Sequence, residues 1–367
     1  MHVLFVFFIV AVLIQSLYIL ILLYGFGRTQ ITNHSGLNAP VSVIVCAHDE
    51  EQNLRELLPV LKSQNHPNFE IIIVDDRSND NTYDFLLDET KADSRVKMVR
   101  TLKTPERMNA KKYAITLGIR SAKNDLILLT DADCRPAGPD WISRMTSLIT
   151  PGIQLVLGYS PYYKESGLLN LFIRYESFIT ALQYLGWALL GKPYMGVGRN
   201  LCYRKSLFLE NKGFNDYLNI TGGDDDLFVN RHASGSNTQV CFDNEALVYS
   251  IPKKTWKSFF YQKLRHLTVG KRYKAKHKFR LGLFSSTLTF TWILGLFLIF
   301  NPLYTYYVIG ALLIRLIALM ITIGKVSRRL GPKMEPLAVI FLDFLYMIYY
   351  LSTGLTALVT KKVKWTN

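Results

Sequence analysis

"LILLTDADCRP", residues 126–136, runs four apolar residues into two carboxylates one residue apart, Asp131 and Asp133. Two readings compete for that ending. A polar turn opening a helix would use Asp as a cap, with Pro136 and Gly138 close behind. A metal site would turn both carboxylates toward a hard divalent cation, because Mg2+ and Mn2+ take oxygen ligands and share them with a substrate's phosphates. The choice depends on what surrounds the stretch.

Upstream, "VSVIVC" (residues 41–46) and "EIIIVDD" (70–76) are short runs rich in β-branched residues, and Leu54, Leu57, Leu58 and Leu61 between them recur at helical spacing. Residues 109–122 read as another helix before the 126–129 run. Strand alternating with helix is the order of an α/β sheet with crossover connections, which binds ligands at the carboxyl ends of its strands. Acidic groups sit at those ends: His48, Asp49 and Glu50 after the first strand, Asp75 and Asp76 closing the second, Asp131 and Asp133 closing the third. Three acidic strand ends in one sheet favour the metal reading over three coincidental turns.

The segments "VIVCAHDEEQNL", "IIIVDDRSNDNT", "LLTDADCRP", "GVGRNLCYRK" and "TGGDDDLF" resemble, in order and approximate spacing, the family 2 glycosyltransferases of the GT-A fold. The resemblance covers residues 41–249. It implies a Rossmann-like mixed sheet, a nucleotide-diphosphate sugar donor (a UDP-sugar is the expectation), a divalent Mg2+ or Mn2+, and inversion at the anomeric carbon. Carried over, Ala47, His48, Glu50 and Asp75 would line the nucleoside pocket, with Asp75 on the uracil or ribose side. Lys111, three residues before Ala114, matches a lysine of the family, with Lys112 as the nearby rival. Asp133 would be the direct metal ligand, and Asp131 would lie nearer the ribose. The acidic cluster Asp224, Asp225, Asp226 follows Gly223 where the family has Glu-Asp-x-Asp-Leu, so Asp224 or Asp225 is expected as the catalytic base. His48 replaces a common tyrosine and Asp49 a frequent asparagine.

The chemistry asks for these groups. A diphosphate leaving group needs its developing charge neutralised, which a metal does without a general acid, and the attacking hydroxyl needs a carboxylate to take its proton. Three adjacent Asp residues also repel one another, which raises the proton affinity of at least one.

The chain has 367 residues, 49% of them hydrophobic, and the apolar ones cluster at the two ends. Residues 3–24 carry no charge and meet the roughly 20 residues a membrane-crossing helix needs. With no basic amino-terminal region and no small-residue cleavage site, they read as a retained anchor (residues 1–30) rather than a signal peptide. Residues 284–300, 303–323 and 337–359 are three further spans in a carboxyl-terminal region, 284–367. The net charge of +15 does not indicate nucleic acid, because its basic residues flank the spans. That placement puts the middle of the chain in the cytoplasm, at the inner membrane if the source is bacterial, with the amino terminus outside and the last span running outward. Lys361, Lys362 and Lys364 then fall on the wrong side, so either the last span is re-entrant or the charge rule is outvoted there. Arg315 and Asp343 lie at matched depths, roughly 9 to 12 Å at 1.5 Å per residue, and can pair. Four cysteines without close spacing indicate neither zinc nor a disulfide framework.

Residues 251–283 interleave aromatic and basic residues, as a segment on an anionic membrane surface does. Within it "QKLRH" resembles the Gln-x-x-Arg-Trp motif of processive family members, with His266 for tryptophan. That resemblance implies that Gln262, Arg265 and His266 face the acceptor or the diphosphate. Residues 168–190 read as an amphipathic interface helix, with a fifth span as the alternative. The expected protein is a membrane-anchored glycosyltransferase with a catalytic domain over residues 40–250 and a lipid or lipid-linked glycan acceptor. A processive polysaccharide synthase is the runner-up. A non-catalytic scaffold or transport subunit would not bind sugar nucleotide with metal, and the intact carboxylates oppose it. A nucleotidyltransferase leaves the second acidic cluster unexplained.

Overall fold

The computed structural model describes residues 1–28, 39–334 and 338–360. Along the chain come α1 (His2–Arg28), β1 (Val41–Ala47), α2 (Glu51–Lys62), β2 (Phe69–Asp76), α3 (Thr82–Ala92), β3 (Val96–Thr101), α4 (Ala110–Ser121) and β4 (Leu126–Asp131). Then follow β5 (Cys134–Pro136), α5 (Trp141–Thr146), β6 (Leu155–Leu157), α6 (Leu168–Leu189), β7 (Leu201–Arg204), α7 (Lys205–Glu210), α8 (Asp226–His232), β8 (Thr238–Val240) and β9 (Val248–Ser250). The chain closes with α9 (Trp256–Gly270), α10 (Ala275–Leu298), α11 (Thr305–Leu330) and α12 (Ala338–Val359). The described residues form two compact units: 39–164 with 188–252, and 1–28 with 165–187, 253–334 and 338–360. Leu337, where the last span was expected to begin, and the tail residues Lys361, Lys362 and Lys364 lie outside the described residues.

The first unit is a mixed seven-stranded sheet in the order β3-β2-β1-β4-β7-β6-β8. β1 runs parallel to both β2 and β4, and β7 turns antiparallel against β4 and β6. Nearly every residue of β1, β2 and β4 is buried, which is why these strands read as continuous apolar runs. Leu54, Leu57, Leu58 and Leu61 of α2 cover one face together with Trp141, Ile142 and Met145 of α5. From β1 the chain winds outward to β2 and β3 and then crosses back to β4 on the other side of β1, so the crevice between the carboxyl ends of β1 and β4 is the switch point of the sheet. A two-stranded ribbon of β5 and β9 starts one residue beyond Asp133.

In the second unit, α1, α10, α11 and α12 are long and apolar enough to cross a membrane. Arg315 of α11 and Asp343 of α12 are paired: the guanidinium donates to both carboxylate oxygens, at 2.5 and 3.1 Å, and both side chains are buried. Trp292 Nε1 of α10 and the Tyr175 hydroxyl of α6 donate to the same carboxylate, at 2.8 and 3.3 Å. One carboxylate thus ties four helices, and depth matching in the sequence found its main partner. The sequence expectation for residues 168–190 is corrected here. From Phe172 to Ala188 every residue of α6 except Arg174 and Thr180 is buried, so the helix has no solvent-facing stripe. Apolar residues occupy all its sides, the pattern of a helix enclosed by others. The expected surface segment 251–283 is α9, a turn, and the first turns of α10, so Lys276, Lys278 and Arg280 belong to the helix rather than preceding it.

Candidate active site

The switch-point crevice is lined by Ile44 and Cys46 of β1, Lys111 and Ile115 of α4, Leu129, Thr130 and Asp131 of β4, and Gly198 and Asp224. The parallel register sets Cys46 beside Asp131 and Ala47 beside Asp75, which brings three strand ends level. Asn109 caps α4 by accepting the Lys112 amide, and this phase turns consecutive lysines to different places. Lys111 Nζ lies 2.9 Å from Asp131 and 3.7 Å from Asp224. Lys112 is buried and donates to the carbonyls of Ile220 and Gly222, tethering the loop that leads to Asp224. Burial by itself would make Lys111 easier to deprotonate, but Asp131, Asp224 and Asp225 outweigh it and hold its pKa well above the ordinary lysine value.

The three acidic residues after Gly223 do different things. Asp224 faces the crevice and Lys111. Asp225 accepts the Gly198 amide at 2.7 Å through one oxygen and the Asp226 amide at 2.7 Å through the other, capping α8 and pinning the turn at residues 198–200. Burial and then its neighbour Asp224 raise the Asp225 pKa. Asp226 lies inside the first turn of α8 and accepts the Leu227 amide.

Asp131, Asp133 and Cys134 present ligand atoms within 4.8 Å of one another. Burial, then Asp131, push the Asp133 pKa up, while Arg199 opposes them. Burial and then Asp133 push the Cys134 thiol pKa up. The two carboxylates make an all-oxygen pair, which suits Mg2+ or Mn2+.

At the carboxyl ends of β1 and β2, the loops that follow are cross-tied. Asp49 accepts the Asn79 amide at 2.6 Å, and His48 Nδ1 lies 2.6 Å from the Asp76 carbonyl. Asp49 and Arg77 both hold positive φ, 55° and 59°, and such strain collects at functional loops. Glu50 accepts from Asn53 at 2.6 Å. Asp75 is fully buried: Oδ1 accepts the Ser78 amide at 3.1 Å, and Oδ2, 3.4 Å from Arg100 Nε, has no hydrogen-bond donor among the described residues.

Gln262, Arg265 and His266 lie on α9 in the helical unit. Spacings of three and four residues put them on one helical face. α9 is held there by a buried Lys263–Glu176 ion pair of 2.5 Å and by the Tyr349 hydroxyl donating to the Phe259 carbonyl at 3.2 Å.

Sequence reasoning passed over Arg199, although its segment had been singled out. Its only signal was a cation set among glycines, and the turn that aims it is made by distant residues.

The family 2 glycosyl transferase model matches residues 42–205, and the model for glycosyl transferase family group 2 matches residues 126–323, more than half of the chain. The chain belongs to glycosyl transferase family group 2. This glycosyltransferase is 31% identical over 131 residues to a dolichol-phosphate mannosyltransferase of Pyrococcus furiosus, 35% of either chain. It is 27% identical over 188 residues to the glycosyltransferase AglE of Haloferax volcanii, 50% of this chain and 58% of that one. The match therefore spans less than two thirds of either curated relative. In fold it resembles the mannosyltransferase PcManGT from Pyrobaculum calidifontis, solved with GDP-Man and Mn2+: the TM-score is 0.60 at 16% identity, covering 97% of this chain and 100% of that one. The glycosyltransferase thus has the GT-A fold.

Proposed function

We propose that this glycosyltransferase is membrane-anchored and inverting, and that it moves one sugar from a nucleotide-diphosphate sugar to a lipid or lipid-linked acceptor. The observation that carries the reading is the meeting of Asp131, Lys111 and Asp224 at the switch point, with Asp133 two residues on from Asp131. The names of the relatives, one acting on dolichol phosphate and one solved with GDP-Man and Mn2+, support a lipid acceptor and a nucleotide-sugar donor. Four long apolar helices support the anchor.

Each group then has a task. Asp224 accepts the proton of the acceptor hydroxyl as it attacks, because it is the carboxylate of its cluster that faces the crevice. Lys111 lies between Asp224 and Asp131, 3.7 Å from the first and 2.9 Å from the second, and its charge offsets the two carboxylates facing each other across it. The buried Asp75 Oδ2 offers an acceptor to an N–H or O–H of the nucleoside, with Ala47, His48 and Glu50 alongside on the β1 loop. Mg2+ or Mn2+ held by Asp133 and Asp131 would neutralise charge on the departing diphosphate. A base on one side and a leaving group on the other make a single displacement, which inverts the anomeric carbon.

The test is to incubate membranes containing the protein with a panel of labelled nucleotide sugars and to separate lipid-extractable from polymeric products. The expected result is label from one donor in a short or single-sugar lipid, dependent on added metal and lost in Asp224→Asn. No transfer from any donor would refute the reading, and long polymer made by the protein alone would replace it with a processive synthase.

A further inference from the structure

Arg199 sits in the 3-10 turn Gly198–Asn200, and both of its neighbours are immobilised. The Gly198 amide is bound to Asp225. The Asn200 side chain donates to the carbonyls of Tyr159 and Ala246, at 2.9 and 2.8 Å, and accepts from Trp141 Nε1 at 3.0 Å. Between these anchors the Arg199 guanidinium lies over the Tyr162 ring, 4.7 Å from its centroid. Tyr162 bridges to Ser250, which pairs with Cys134, so the ring beneath the guanidinium is joined to the strand that begins one residue beyond Asp133. It makes no hydrogen bond or ion pair among the described residues. Arg135, on the neighbouring ribbon, shows what a structural arginine does here: it donates to the carbonyls of Ala132 and Cys134 and to Glu56, all within 2.9 Å. Arg199 is partly open, aimed by a rigid turn, and its five donors lack acceptors.

We propose that Arg199 is a phosphate-binding residue, donating to an oxygen of the donor's diphosphate beside the Asp131 and Asp133 carboxylates. The proposal rests on the glycosyltransferase reading above. A planar fork suits two phosphate oxygens, the ring beneath fixes its plane, and a cation there opposes the negative charge that the carboxylates and the diphosphate bring together. An arginine placed to bind a sugar hydroxyl would gain nothing from lying next to two metal-binding carboxylates.

The full chain in detergent is titrated with UDP and GDP at fixed Mn2+, with uridine and guanosine as phosphate-free controls, and with Mn2+ alone followed by its electron resonance signal. Arg199→Met is expected to weaken nucleoside diphosphate binding about ten- to a hundredfold. It should leave the nucleosides unchanged, bind Mn2+ as tightly or more tightly, and melt as the unmodified protein does; Arg199→Lys should recover part of the loss. Equal nucleoside diphosphate affinity in Arg199→Met would overturn the proposal. An equal loss for uridine and guanosine would place Arg199 at the nucleoside and overturn the phosphate assignment. Loss of Mn2+ binding together with a lowered melting temperature would make Arg199 structural. If the unmodified protein binds neither nucleoside diphosphate with Mn2+, the glycosyltransferase reading of the site fails along with the inference.

Discussion

Asp224 and Asp225 are adjacent and chemically identical, yet one faces Lys111 and the other binds two backbone amides, so replacing each by Asn should damage different things. Asp224→Asn keeps the shape and removes the proposed proton acceptor, which faces Lys111. Losing a general base costs about 10²- to 10⁴-fold in rate, or roughly 3 to 5 kcal/mol of barrier, with donor binding and melting temperature retained. Asp225→Asn strikes the fold. The carboxylate satisfies two amides at 2.7 Å through separate oxygens, whereas an amide side chain has one acceptor and must turn N–H toward N–H at the other. The lost charge-assisted bond costs about 1.5 to 3 kcal/mol, read as a lower melting temperature, and the rate should fall only about tenfold as the 198–200 turn loosens. Labelled-sugar turnover at saturating donor, nucleotide titration and thermal unfolding in detergent separate the two. If Asp225→Asn abolishes turnover with its stability intact while Asp224→Asn remains active, the base is Asp225 and the assignment from geometry is wrong.

Asp133→Ala should abolish both turnover and Mn2+-dependent nucleotide binding while the protein still melts cooperatively; Mn2+-dependent binding that survives would move the metal elsewhere. Because Asp133's folded-state pKa is raised, its contribution to the metal-free fold is present at low pH and lost as pH rises through that pKa, and a metal must wait for the same proton to leave. Stabilisation by Mn2+ should therefore be small in mild acid and grow with pH, and a pH-independent increment would contradict the site. In the helical unit, Arg315→Met leaves a buried carboxylate that, among the described residues, keeps the donors Trp292 and Tyr175 alone, at a cost of about 3 to 5 kcal/mol, and Arg315→Met with Asp343→Leu should recover most of it. A double variant no more stable than the single one would show that the pair is not the unit of stability. On α9, Arg265→Ala should lose activity and His266→Trp keep or improve it; full activity in Arg265→Ala would return that face to plain lipid contact.

How much of this could be read in advance depends on what each residue's environment requires. β1, β2 and β4 are enclosed by helices and so had to be written in apolar, β-branched residues. β3 is an edge strand buried only at Val96 and Thr101, with exposed Lys97 and Arg100 breaking any alternation between them, and β6 and β8 are three residues long, so neither length nor pattern announced them. The Asp-x-Asp and the acidic cluster stood out because the metal and the base proposed for them would admit few substitutes, and the structure brings Asp131 and Asp224 together at Lys111. Whether Lys111 or Lys112 entered the crevice was not, since one residue of helical phase decides it and the Asn109 cap sets that phase. Arg199 was hidden for a further reason: Asn200 aims its turn through contacts 41 and 46 residues away along the chain.

The burial of α6 has a consequence for how the protein is made. The helix leaves the ribosome before β7, β8 and α8, yet the carboxylate that its Tyr175 binds is 168 residues downstream, on α12. Until the last helix is synthesised, Phe172 and Tyr175 lack their native neighbours Tyr349 and Tyr346, and a nascent chain exposing them invites aggregation or chaperone capture. The catalytic sheet therefore cannot be released as a soluble piece by trimming both ends. A fragment of residues 39–252 would keep an apolar helix in its middle with α1, α9 and α12 removed, and it should associate with detergent or precipitate. A water-soluble form would require replacing residues 165–187 with a short polar linker.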